Sequence, residues 1–225
     1  MSHPLAILQV LLIFLINQAV LPVNSPQVIV DEVELNFPEG LVFHLEIASG
    51  VVVERVTLVY SSNGRSCQPG KARKDLDFTP AKDLQLEWEW DFTHNGTIPP
   101  GVIVEWQWEI TDSLGNVTLT EPGAILVQDQ RHDWQQISRD GITIQWYAAG
   151  DAFGNDLYAI AFDGRQHVID LLGIEFEEDV WITVYPSPDD VRDALKFNTQ
   201  WTGGIAFTDH NAMIVPGAPG QEDWL

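Results

Sequence analysis

The stretch Leu84-Gln85-Leu86-Glu87-Trp88-Glu89-Trp90-Asp91-Phe92 decides how the first half of this chain folds. Its five odd-numbered-from-Leu84 positions, Leu84, Leu86, Trp88, Trp90 and Phe92, are apolar, and the four between them are polar or acidic. Side chains alternate across a strand, so this pattern predicts a strand with one buried and one wet face. Val102–Ile110 repeats it with Val102, Val104, Trp106, Trp108 and Ile110. Between the two lies His94-Asn95-Gly96-Thr97-Ile98-Pro99-Pro100-Gly101, rich in turn formers. Upstream, Gln27–Leu35, Gly40–Ile47 and Val51–Tyr60 predict further strands. Downstream, Thr111–Asn116 predicts a tight turn into Val117–Leu119, and Ala124–Val127 a last strand.

About seven short strands with frequent turns predict an immunoglobulin- or fibronectin-like β-sandwich over residues 27–130. The segment from Ile98-Pro99-Pro100-Gly101 to Asp112-Ser113-Leu114-Gly115-Asn116 resembles bacterial Ig-like domains. Exposed tryptophans on a sheet can stack on sugar rings, so carbohydrate recognition is one reading of the Trp pairs. The uniformly apolar face they share favours a core instead. Asn95-Gly96-Thr97 and Asn116-Val117-Thr118 match the glycosylation sequon.

Near residue 132 the pattern changes. Gly141–Tyr147 predicts a strand. Phe153, Leu157, Ile160, Ala161, Gly164, Val168 and Leu171 then recur at three- and four-residue spacing, a helical stripe with Asp151 as N-cap and Gly173 as C-cap. Gly164 on that stripe suggests a close approach of helix to sheet. Val180–Tyr185 predicts a buried strand, and Ser187-Pro188-Asp189-Asp190 the start of a short helix. Gly203–Thr208 and Ala212–Val215 predict two more strands around the turn Asp209-His210-Asn211. The order β-α-β-α-β-β predicts an α/β module over residues 131–225.

The N-terminus has the pattern expected of a targeting segment. Leu5–Leu21 is apolar except for Gln9, Asn17 and Gln18 and is followed by Pro22-Val23-Asn24-Ser25-Pro26. Residues 1–26 therefore predict a signal peptide, with an uncleaved N-terminal anchor as the alternative. Either places the remainder outside the cytoplasm, secreted or held at the outer face of the membrane. A formal net charge of −22 opposes binding to nucleic acid or anionic lipid, so a membrane contact is expected only through that anchor. No EF-hand loop accompanies the acidity.

The second module bears a specific resemblance. Trp134, Ile142-Thr143-Ile144-Gln145-Trp146-Tyr147, Asp151-Ala152-Phe153-Gly154, Leu171-Leu172-Gly173-Ile174, Val184-Tyr185-Pro186-Ser187 and Trp201-Thr202-Gly203-Gly204-Ile205-Ala206 resemble the amino-terminal part of exported peptidase MA-like metallohydrolases. In that family an Ig-like domain commonly precedes such a module. The resemblance implies a gluzincin fold, in which a helix carrying H-E-x-x-H follows and supplies zinc ligands and a general base.

None of the six histidines, His3, His44, His94, His132, His167 and His210, has that spacing. His44-Leu45-Glu46 lacks the second His. The expectation is a fragment that stops before the zinc helix, with no catalytic, cofactor-binding or metal-ligating residue of its own. Zinc is expected only in a longer product. Other candidates are weak. Cys67 is a single thiol in a loop, so no intrachain disulfide forms. Arg65, Lys71, Arg73 and Lys74 suggest a solvated basic loop over Ser61–Lys74. Glu175, Glu177, Glu178 and Asp179 suggest a solvated acidic run, and His132, His167 and His210 surface positions. The rival expectation is an extracytoplasmic binding or adhesion protein.

Overall fold

The computed structural model describes residues 25–62, 71–173, 179–195 and 203–220. The first module contains β1 (Gln27–Asn36), β2 (Gly40–Ser62), β3 (Ala72–Asp75), β4 (Ala81–Asp91), the single turn α1 (Phe92–Asn95), β5 (Ile103–Asp112), β6 (Val117–Leu119) and β7 (Gly123–Leu126). The second contains β8 (Gln135–Arg139), β9 (Ile142–Trp146), α2 (Asp151–Leu172), β10 (Val180–Tyr185), α3 (Pro188–Ala194), β11 (Ile205–Phe207), a 3-10 turn at Thr208–His210, and β12 (Ala212–Pro216).

β2 organises the first module. Its segment Gly40–Ala48 pairs with β1 on one side and β4 on the other, whereas Arg55–Ser62 pairs with β5 and Thr57–Tyr60 with β3. The strand bends between these segments, so one sheet curls around a core. Leu41, Phe43, Leu45 and Ile47 enter that core from the first segment, Val56 and Leu58 from the second. The sequence predicts two strands here, 40–47 and 51–60, and the structure makes them one.

The alternating stretches behave as their period requires. On β5, Val104, Trp106, Trp108 and Ile110 are buried and Ile103 and Glu105 are exposed. On β4, Leu84 and Trp90 are buried and Trp88 is half-buried, 5.7 Å from the Phe43 ring. Asp31 on β1 accepts from both indoles, Trp106 Nε1 at 2.8 Å and Trp108 Nε1 at 2.9 Å. β1 and β5 are not paired, so these bonds tie the two sides of the curled sheet together. The turn after β5 closes on Asp112, which accepts from the backbone of Leu114 and Asn116 and from the Asn116 amide.

The second module is a five-stranded sheet in the order β11-β12-β10-β9-β8, with β9, β10 and β12 parallel and the two edge strands antiparallel. Register places Ile144, Ile182 and Met213 in one row and Trp146, Val184 and Val215 in the next, all on one face. α2 packs on that face over β8 and β9. The opposite face, with Tyr185 and Ile214, joins α3 and the core of the first module, so one apolar cluster spans Leu35, Phe37, Val127, Tyr185, Val191 and Ile214.

Several local expectations are refined. Gly150 is the N-cap of α2, and Asp151 lies in its first turn, where a carboxylate suits the helix dipole. Gly173 ends α2 in the left-handed conformation, φ 63°. Ser187 caps α3 by accepting from the Asp190 N–H, with Pro188 at the first position. The close-approach glycine is Gly154, not Gly164. A Cβ on Gly154 would lie 2.1 Å from the Trp146 ring, and one on Gly164 would meet nothing within 4 Å. The expected basic loop contains β3, where Arg73 pairs with Glu109 at 2.9 Å. β8 is a strand that the sequence pattern does not announce.

Candidate functional site

Two places gather unusual side chains. The first is the junction after β7, where Val127–Trp134 crosses from one sheet to the other. Asp129 is fully buried. Its Oδ1 accepts from the Arg131 backbone N–H (3.1 Å) and Nε (2.8 Å), and its Oδ2 from Arg131 Nη2 (2.7 Å) and the Tyr185 hydroxyl (2.9 Å). Trp134 Nε1 donates to the Asp129 carbonyl at 2.6 Å. The Arg131 guanidinium lies 5.8 Å over the Phe37 ring, so the same two residues hold the end of β1 to β10. Trp181 on β10 seats against Gly101, whose φ is 95° and where a Cβ would lie 2.2 Å from the indole.

Aromatic rings enclose this carboxylate. His132 stacks on Tyr147 at 3.9 Å, and Trp134 meets Tyr185 edge-on at 5.2 Å. Burial works to raise the Asp129 pKa, and the hydrogen bonds and charge of Arg131, with the Tyr185 hydroxyl, outweigh it and hold the carboxyl below its ordinary range. Burial and the Asp129 charge raise the Tyr185 phenol. Tyr147 is pushed up to about 12, first by burial and then by Asp190 and Asp129. Each Asp129 oxygen already accepts two donors. Such a carboxylate is a fastener rather than a proton acceptor for a substrate.

The second place is the half of the second sheet that α2 leaves open. Val180, Ile182, Met213 and Val215 are only half-buried. Together with the α2 flank at Leu157, Ile160, Gly164 and Val168 they form an apolar groove of about 460 Å³. Parallel strands are normally covered on both faces, and among the described residues nothing covers this one. Arg165 is the single charged residue lining it, and its Nη1 donates to the Asp140 carbonyl at 2.6 Å.

The histidines do not converge. His44, on the outer face of β2, lies between Glu87 (3.4 Å) and Glu34 (4.0 Å), and Leu45 beside it points into the core. His132 is in the junction stack rather than at the surface. His167 is exposed on α2. His210 is half-buried, and burial lowers its pKa, partly offset by Asp209. Among the described residues no three His, Cys, Asp or Glu side chains gather in a way that could hold a metal ion. Also among them, no helix is long and apolar enough to cross a membrane. Cys67, Arg65, Glu175, Glu177, Glu178, His3 and the Leu5–Leu21 segment lie outside the described residues. Asp179 is exposed.

The sequence pattern gives no sign of Asp129. Its partner Tyr185 is 56 positions away, and nothing local marks the pair. The groove does have a signal. Val180–Tyr185 is apolar but for Thr183 and Ala212–Val215 is apolar throughout, yet only one long helical stripe is available to cover them. No family model matches the chain, and no curated protein or solved structure matches it.

Proposed function

We propose that this chain is the non-catalytic N-terminal portion of an exported zinc metallopeptidase-like protein of the peptidase MA-like kind. In this reading the curled sheet is an Ig-like domain, and β9-α2-β10 is the opening of the gluzincin module. The observation that carries it is the open groove. A β-α-β platform with half of one apolar face left uncovered by the described residues is what a module expecting a further helix beside α2 would leave. The helix implied by the resemblance, bearing H-E-x-x-H, is not among these 225 residues, so zinc ligation and base chemistry are assigned to a longer product and to no residue here.

The rival reading is an extracytoplasmic binding protein, and the same groove favours it as a docking surface. Sugar recognition through the Trp strands gains no support, because Trp106, Trp108 and Trp90 lie in the core. The deciding experiment compares the 225-residue chain with a product of the same locus extended past codon 225. Stoichiometric zinc and chelator-sensitive peptidase activity in the longer product alone are expected. A longer product that binds no zinc sinks the peptidase reading and leaves the binding one.

A further inference from the structure

The charge pattern on α2 says more about what the groove accepts. Successive residues of a helix step around it by about 100°. Tyr158 reaches toward β8, where its hydroxyl donates to Asp140 and its ring lies 3.7 Å from the Arg139 guanidinium. Leu157, one step round, lines the groove. Asp156, a further step, therefore stands on the outer lip of the groove, away from β8. The chain repeats this arrangement every seven residues. Asp156-Leu157 and Asp163-Gly164 set an aspartate beside a groove-lining position, Asp170 continues the row one heptad on, beyond the groove-lining residues, and all three aspartates are exposed. Ile160 falls between the first two pairs and also lines the groove.

A seven-residue apolar repeat flanked by one sign of charge is how one helix specifies another beside it. Gly164 fits the same picture. It weakens an exposed helix, and a Cβ placed on it would meet nothing within 4 Å among the described residues, whereas a neighbouring helix could pack closely across it. The strip that the described residues leave uncovered is two strands wide, about 10 Å, which is the diameter of one helix.

We propose that the groove seats one amphipathic helix of a partner polypeptide, with an apolar seam facing Ile160, Gly164 and Met213 and a row of Lys or Arg at seven-residue spacing facing Asp156, Asp163 and Asp170. A second copy of this chain does not meet that description. Its α2 would set aspartates against aspartates, and its eleven basic residues include no such row. The proposal rests on the binding reading, because in the peptidase reading a helix of the longer product takes the same groove; a longer product that binds zinc and neither peptide overturns it, whereas failure of the 225-residue chain to bind a helix leaves the zinc test untouched.

The test uses the whole chain and two synthetic helical peptides of about 18 residues, long enough to span the α2 flank. Both carry a leucine seam; one has lysine and the other glutamate along the flanking row. Fluorescence anisotropy is expected to show the lysine peptide binding about tenfold tighter at low ionic strength, with the difference fading in high salt. The surface variant Asp156→Lys/Asp163→Lys/Asp170→Lys should reverse the preference while its circular dichroism stays unchanged. Gly164→Phe, projecting into open space, should abolish binding of both peptides. Equal binding of the two peptides, binding of neither, a preference that survives the triple substitution, or a concentration-dependent dimer that Gly164→Phe dissolves would each overturn the proposal.

Discussion

Replacing Asp129 by alanine tests whether the two modules are held as one body. The Tyr185 hydroxyl is fully buried and loses its acceptor, which costs about 1–3 kcal/mol. Breaking a fully buried ion pair costs about 3–5 kcal/mol, but that figure does not apply in full here. The Arg131 side chain is 38% exposed and can turn to water, so its loss adds roughly 1 kcal/mol. The sum is about 2–4 kcal/mol, or a fall in Tm of roughly 5–15 °C for a chain of this size. Urea unfolding followed by tryptophan fluorescence measures it, and Tyr185→Phe completes a double-mutant cycle. Because the hydroxyl and the carboxylate share one bond, the cycle should show a coupling of about 0.5–3 kcal/mol, with Tyr185→Phe nearly harmless once Asp129 is gone. The alanine variant should also unfold in two steps as the sheets separate. Additive single effects, or a loss under about 0.5 kcal/mol from Asp129→Ala, would refute the fastener.

Two further outcomes follow from other parts of the chain. The α2 glycines should respond to alanine with opposite signs: Gly154→Ala drives a methyl into the Trp146 ring and should lose about 1–2 kcal/mol despite better helix propensity, whereas Gly164→Ala enters open space and should gain up to about 1 kcal/mol, both read from thermal melts. Stability should also fall in two stages with acid. Burial lowers His210 from its reference of 6.5, so the unfolded chain takes up that proton more readily and stability declines as pH drops below that value. Asp129 is held below its reference of 3.8, so its contribution is present above that value and is lost as pH falls through the folded pKa. Urea midpoints from pH 8 to 2 should show the first stage vanish in His210→Gln and the second shrink in Asp129→Asn.

What could be read from the sequence was whatever repeats locally. β4 and β5 alternate over nine residues, and the burial of Leu84, Trp90, Trp106 and Trp108 follows directly. The α3 cap is equally local, since Ser187, Pro188 and two aspartates are contiguous. β3 and β8 escaped because edge strands carry charge and polar groups to resist further pairing, and Ala72-Arg73-Lys74-Asp75 therefore looks like a loop. The bend in β2 escaped for a different reason. Ala48-Ser49-Gly50 has the composition of a turn, but both flanks already have partners, so the strand passes through with a shift of register. Choosing between Gly154 and Gly164 needed the position of Trp146, which helical periodicity does not contain. The Asp129–Tyr185 bond is long-range and has no repeat to betray it.

The placement of these features links the junction to the groove. β10 presents Trp181 and Tyr185 to the first module and Ile182 and Val184 to the opposite side. Gly101, Asp129 and Phe37 with Arg131 hold that strand from one face only. The curled sheet therefore acts as a buttress. It covers the face of the second sheet that carries the buried polar groups Gln145 and Thr183, bonded to each other at 2.9 Å, and leaves the apolar strip of β10 and β12 on the other face turned outward. Exposing an apolar strip while burying a polar pair is the reverse of what solvent alone would favour. The arrangement becomes reasonable when the outward face has an occupant. A rigid sheet, fixed from behind and lipped with aspartates, meets that occupant without having to order itself first, which is where a helix-binding surface gains affinity.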